Sequence, residues 1–253
     1  MRVINSLFIA FSTYSRLPVP QVEWTDENRR YAMCFFPLVG AVIGGLMWLW
    51  IVLCGKLELG AFLRGAVGAV IPIWVTGGIH MDGFMDTKDA LASWQPKEKK
   101  LEILKDSRVG AFAVMGCAAY MLLMTALVSQ AKPENGAQVG AAFVLSRAMS
   151  AWALTVLRSA RPEGMLDRFA AAAKKRMVSV SGCVYASLCI AVWCLADECL
   201  ALVCIAVAAG VTAYYRHMAY KQFGGVTGDL AGWYSQMMEI CLIAGVVLGG
   251  KLL

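Results

Sequence analysis

Apolar residues run along this chain in long blocks, not in strict alternation and not as a one-sided helical stripe. Seven blocks, near 33–54, 61–79, 109–129, 137–157, 178–196, 199–215 and 233–251, are each long enough to cross about 30 Å of hydrocarbon as a helix. Only Asp197 and Glu198 separate the fifth block from the sixth. The pair therefore predicts a tight helical hairpin with both charges in its turn. In lipid every backbone N–H and C=O needs an internal partner, so the expected fold is all-α. It is a polytopic integral membrane helical bundle of about seven transmembrane helices, one domain over 1–253, with interfacial helices besides. The apolar patch Leu7–Phe11 is too short to span and is interrupted by Ser12, Thr13, Ser15 and Arg16. With no small-residue cleavage site after it, a short interfacial helix is expected there, not a cleaved signal peptide.

Composition narrows the class. Of 253 residues, 59% are hydrophobic and 16% charged, with a mean hydropathy of +0.63. That leaves too little polar sequence to cover a soluble core. The nine cysteines lie almost wholly in apolar blocks and form no C-x-x-C pair or zinc spacing. They read as small packing residues of a reducing compartment. No aromatic–basic module points to nucleic acid, and the net charge of +6 is better read loop by loop. The N-terminal region, the 80–108 loop, the 158–177 loop and the 216–232 loop share one side and carry eighteen Lys and Arg. The opposite side carries four: Lys56, Arg64, Lys132 and Lys251. The positive-inside rule then sets the N-terminus and all the long polar loops in the cytoplasm, with the chain a multi-pass protein of the cytoplasmic (inner) membrane.

The polar residues that stand out are gathered on that side. Thr76-Gly-Gly-Ile-His80-Met-Asp82-Gly-Phe-Met-Asp86-Thr-Lys-Asp89 leaves the second block directly. As a helix it presents Asp82, Asp86 and Asp89 on one face. Like charges so placed repel by about 0.2–0.5 kcal/mol per pair, and a divalent cation held by carboxylate oxygens reverses the sign. These three are the candidate metal ligands. Gly83 lacks a side chain, which would let a substrate or a metal-bound phosphate approach the backbone. His80 reads as a base, a phosphate donor or a boundary residue. Asp106 follows within Lys105-Asp-Ser-Arg108-Val-Gly110, after a basic stretch (Lys97 to Lys105) that predicts a solvated surface helix. Gly224-Gly225-Val-Thr227-Gly228-Asp229 offers backbone N–H groups for an anion, or simply a tight turn. Arg147, within the fourth block, costs about 2.5–3.5 kcal/mol in lipid. It must face the bundle, either at a substrate phosphate or paired with an acid such as Glu239 in the last block. Pro72 is expected to kink the second block, with Gly77 and Gly78 loosening its end. His217 reads as an interfacial residue.

At these residues the chain resembles the cobalamin (5′-phosphate) synthases, also called adenosylcobinamide-GDP ribazoletransferases. The resemblance covers nearly the full length. It rests on Ser15-Arg-Leu-Pro18, Phe36-Pro-Leu-Val-Gly40, the long aspartate motif 77–89, Lys105–Gly110, Ser146-Arg147, Ala160-Arg-Pro-Glu-Gly164 and Gly224–Asp229. Met81, Phe84, Met85 and Lys88 depart from the family's usual residues, in packing more than in chemistry. The resemblance implies a Mg²⁺-dependent transferase. It joins adenosylcobinamide-GDP to α-ribazole or α-ribazole 5′-phosphate and releases GMP, in nucleotide loop assembly of cobalamin biosynthesis. It also implies roles. Asp82 and Asp86 hold Mg²⁺, with Asp89 or Asp106 completing the shell. Arg108, Arg147 and Arg161 neutralise phosphate, beside Gly225, Thr227, Gly228 and Asp229, and the base is His80 or an aspartate. Two competitors remain. A CDP-alcohol phosphotransferase would show Ala-Arg after Asp82-Gly83, which is absent. A cation transporter would set its carboxylates near the bilayer midplane. The expected partners are the two nucleotide substrates and the lipid bilayer, without nucleic acid. Whether copies form a homo-oligomer is left open.

Overall fold

The computed structural model describes residues 2–161 and 172–252. Among the described residues there are eleven α-helices and no strand. They are α1 (Arg2–Tyr14), α2 (Asp26–Arg29), α3 (Ala32–Lys56), α4 (Ala61–Thr76), α5 (Ile79–Ala92), α6 (Lys97–Ile103), α7 (Ala111–Ser129), α8 (Gly136–Val156), α9 (Lys175–Cys194), α10 (Glu198–Phe223) and α11 (Gly228–Leu252). Six of them, α3, α7, α8, α9, α10 and α11, are long and apolar enough to cross a membrane, and α4 with α5 passes the same test only as a pair bent by 99°. The multi-pass helical architecture expected from the apolar blocks is what the chain adopts.

Burial separates the centre of the bundle from its rim. The apolar windows of α8 and α11 are each 78% buried, whereas that of α9 is 17% buried. The first pair is therefore the core, and α7, α9 and α10 turn most of their apolar surface outward, as helices facing lipid do. Small residues let the core helices meet closely. Gly44 of α3 sits directly on the Gly140 backbone of α8, and Gly40 on that of Phe143. Helix α1 is amphipathic: Ile9 and Ala10 are fully buried while Val3 and Ile4 are exposed. The Ser6 hydroxyl ties it to the Asn28 carbonyl at 2.6 Å.

Three local expectations change. First, the bend after α4 is not at Pro72, which stays inside a continuous helix. It is at Gly77 and Gly78, with φ of +66° and +85°. Two successive left-handed residues redirect a helix more sharply than the loss of one N–H, and glycine adopts that conformation without Cβ strain. The apolar span thus ends at Thr76, and α5 runs off across the end of the bundle. Second, the supposed 216–232 loop is mostly helix. Helix α10 continues to Phe223 and α11 begins at Gly228, leaving Gly224–Thr227 between them. Gly224 (φ +80°) ends α10, and the Thr227 hydroxyl accepts from Leu230 N at 3.2 Å to start α11. Polarity marked where hydrocarbon ends, not where the helices end. Third, the basic stretch around α6 is not wholly solvated. Lys100 is 6% exposed, and its ammonium donates to Gln222 Oε1 at 2.5 Å, fastening α6 to α10. The α9–α10 hairpin forms as expected, with the Asp197 carboxylate accepting from Cys199 N at 2.6 Å and Leu200 N at 3.2 Å.

Candidate active site

The Gly77–Gly78 turn lays α5 across the start of α11, and two glycines set how close they come. A Cβ on Gly83 would stand 2.7 Å from the Asp229 carbonyl oxygen and 2.8 Å from its Cα. One on Gly232 would stand 2.8 Å from the His80 carbonyl oxygen. Gly83 therefore makes room for the α11 backbone, not for a substrate. The crossing brings the α5 acids beside Asp229 in the first turn of α11.

A cavity of about 280 Å³ opens there. Its lining includes Asp82, Asp229, Arg161, Thr227 and Gly228, together with Thr13, Tyr14, Phe36, His80, Ser150 and Leu154. Arg161 Nη1 lies 3.7 Å from Asp229 Oδ2, and Arg161 Nη2 also donates to the Leu101 carbonyl. Asp86 stands just outside this lining. Burial first, then the charges of Asp82, Asp229 and Asp89, push its carboxyl up to about 6. That repulsion is the physical signature of a place that would gain from a cation. No three His, Cys, Asp or Glu side chains among the described residues close a metal cage by themselves. Such a set suits Mg²⁺, which keeps waters and is held by one or two carboxylates together with substrate phosphates.

His80 is 5% exposed, and its Nε2 has no hydrogen-bond partner. Its ring lies 5.6 Å from that of Phe36 and 6.2 Å from that of Tyr14. Desolvation, with the Arg147 charge second, holds the imidazole well below the usual histidine range, so it faces the cavity neutral, as a proton acceptor must.

Several expected residues stand elsewhere. Both Asp89 oxygens are engaged: Oδ2 accepts from Gly110 N at 2.6 Å and Oδ1 from Ala113 N at 2.7 Å. Asp89 caps α7 and ties it to α5, which leaves it poorly placed for a metal. Asp106 and Arg108 form their own solvent-exposed fork, with Arg108 Nη2 to Asp106 Oδ2 at 2.7 Å. Hydrogen bonds from Arg108 pull the Asp106 carboxyl down to about 2, and neither residue lines the cavity. Arg147, expected either at a substrate phosphate or paired with Glu239, is completely buried. It is ion-paired with Glu239 and donates to the Ser146 hydroxyl at 3.1 Å, while the Tyr120 hydroxyl donates to the other Glu239 oxygen at 3.3 Å. The two charges pair deep in the bundle, although Arg147 Nε and Nη2 keep no hydrogen-bond partner there. Gly225 packs on the Arg158–Ala160 backbone, where Val226 pairs with Ser159 in a single parallel bridge, so it shapes the turn and contributes nothing to the cavity wall. Pro162, Glu163 and Gly164 of the Ala160–Gly164 motif, and Arg168, lie outside the described residues.

Sequence reasoning assigned no role to Tyr14, Phe36, Ser150 or Gly232. Phe36 was inside a resembling motif and Tyr14 stood beside one. Ser150 is a hydroxyl in an apolar block, a signal that was there to be used.

The family profile described as Cobalamin-5-phosphate synthase matches residues 6–247. An adenosylcobinamide-GDP ribazoletransferase of Lachnoclostridium phytofermentans is 42% identical over 248 residues, covering 98% of this chain and 95% of that protein. One of Geobacillus thermodenitrificans is 31% identical over 242 residues, 90% of this chain and 89% of that protein. No solved structure matches. With a profile running nearly end to end and full-length relatives of the same name, the chain belongs to the cobalamin-5-phosphate synthase family.

Proposed function

We propose that this chain is a membrane-embedded adenosylcobinamide-GDP ribazoletransferase. It transfers the cobinamide-linked phosphoryl group of adenosylcobinamide-GDP to α-ribazole, or to α-ribazole 5′-phosphate, and releases GMP. The observation that carries this reading is the meeting of Asp82 from α5 with Asp229 and Arg161 at one cavity, with Asp86 close enough to feel the charges of both aspartates. Phosphoryl transfer asks the protein mainly for positioning and for charge at the phosphate oxygens. One or two of the Asp82, Asp86 and Asp229 carboxylates would hold Mg²⁺, with water and substrate phosphate completing its shell. That ion, when bound, supplies the positive charge that the pyrophosphate oxygens need. Arg161, 3.7 Å from Asp229 and in the same lining, would add a second cation for those oxygens. The attacking group is a ribose hydroxyl, and His80, which lines the cavity and whose Nε2 is buried without a partner, would accept its proton. Asp89 keeps α5 and the Asp106–Arg108 loop in register through its hold on α7. The Arg147–Glu239 pair serves the bundle.

The excess of Lys and Arg on the loop side supports a cytoplasmic orientation of this mouth in the cytoplasmic membrane, where nucleotide substrates are at hand. Metal removal tests the reading. In lipid-reconstituted protein, a chelator stops GMP release and added Mg²⁺ restores it. Undiminished release in the chelator, or metal flux across the vesicle without any turnover, contradicts it.

A further inference from the structure

The cavity lining combines charged and aromatic groups, which suit different halves of the reaction. Its charged groups are the carboxylates of Asp82 and Asp229 and the guanidinium of Arg161. Its aromatic wall is Tyr14, backed by the buried Phe36 at a ring-centroid distance of 4.2 Å. His80 is in ring contact with both and two residues from Asp82. On the reading proposed above, on which this inference rests, the reaction joins a nucleoside to a far larger corrinoid. A cavity of about 280 Å³ is near the lower bound for small-ligand sites. A corrin macrocycle with its side chains exceeds it several-fold.

We infer that this cavity is the acceptor site: the flat heteroaromatic base of the nucleoside lies against Tyr14, which Phe36 holds in place from behind, and the corrinoid stays outside the mouth. The change from buried to exposed along the lining carries the argument: Phe36 is 1% exposed and His80 5%, whereas Asp82 is exposed. A nucleoside seated with its base at the wall directs its ribose past His80 toward Asp82, Asp229 and Arg161, where the donor phosphate must lie. An O–P bond then forms from the ribose hydroxyl to the cobinamide-linked phosphorus. The bond from that phosphorus to the GMP oxygen breaks on the opposite side, and GMP leaves with the electron pair. In-line geometry places attacking and leaving oxygens on opposite faces of the phosphorus, so the guanosine half of the donor points away from the wall. Tyr14 is thus a specificity residue for the acceptor, supplied by the amphipathic helix α1. The Ser150 hydroxyl, 1% exposed on α8, lines the same cavity.

The guanine of the donor is also a flat base, and the test separates the two. In reconstituted full-length protein, Tyr14→Ala is expected to raise KM for α-ribazole at least tenfold, with KM for adenosylcobinamide-GDP and inhibition by GMP within twofold of wild type. Tyr14→Phe, which keeps the ring, stays near wild type. Equilibrium dialysis of α-ribazole alone gives the same ranking without turnover, so it answers even if the transferase reading fails. Should Tyr14→Ala not insert, Ser150→Leu fills the cavity from α8 and weakens α-ribazole binding in the same way. A rise confined to the donor KM or to GMP inhibition overturns the inference, as does unchanged α-ribazole binding in both variants.

Discussion

Asp82→Asn stops turnover and leaves the protein folded. GMP release is expected to fall by at least about 10³-fold, the scale of losing a preorganised charge at a reacting phosphate. The melting temperature should stay within a degree or two of wild type. The separation of the two effects follows from the side chain's surroundings. Asp82 is exposed and lines the cavity, and its carboxylate is repelled by Asp86 and Asp229. Nothing in the fold depends on its charge, and the amide is nearly isosteric. The substitution relieves repulsion in the resting protein while removing the proposed metal ligand from the working one. Wild-type activity in Asp82→Asn would show that the α5 acids do not hold the metal.

Gly83→Ala is the second large effect and acts from the opposite direction, through backbone. The added methyl meets the carbonyl and Cα of Asp229 at 2.7 and 2.8 Å, and main-chain atoms of a membrane helix cannot turn aside as a flexible side chain can. Overpacking of this kind costs about 1–3 kcal/mol, seen as a lower unfolding temperature in detergent. Activity suffers more than stability does, because Asp82 and Asp86 ride on one helix and Asp229 on the other. A displacement of about 1 Å between them is enough for a loss near 10²-fold. Gly45→Ala makes the comparison, since a Cβ there meets nothing within 4 Å. It should be silent in both assays. Equal activity of Gly83→Ala and wild type would mean that the helix crossing does not set the site.

The parts of this molecule that were legible in the sequence are those set by hydrophobic length. Each expected span corresponds to a helix within a few residues at its apolar end, because lipid thickness fixes that boundary. The polar ends were misjudged. Arg216, His217 and Lys221 ended the apolar block, yet they lie on the last turns of α10, since leaving hydrocarbon does not oblige a helix to stop. The aspartate stripe was legible as a face, but the fates of its members were not. Asp89 differs from Asp82 only by where α7 begins, and a helix start 21 residues away from Asp89 is a tertiary fact. Gly83 was noticed for the right property, absence of a side chain, and given the wrong neighbour. Arg147 had two partners on offer, and burial decided for Glu239. Tyr14 and Phe36 escaped because aromatic residues near membrane boundaries are common; only the packing of α1 against α3 turns them toward a cavity.

One product count tests the transferase activity most directly. Purified protein in lipid vesicles, given Mg²⁺, adenosylcobinamide-GDP and α-ribazole, should release one GMP for each cobalamin formed, and none when α-ribazole is left out. No GMP from a folded, reconstituted sample supplied with both substrates would contradict it.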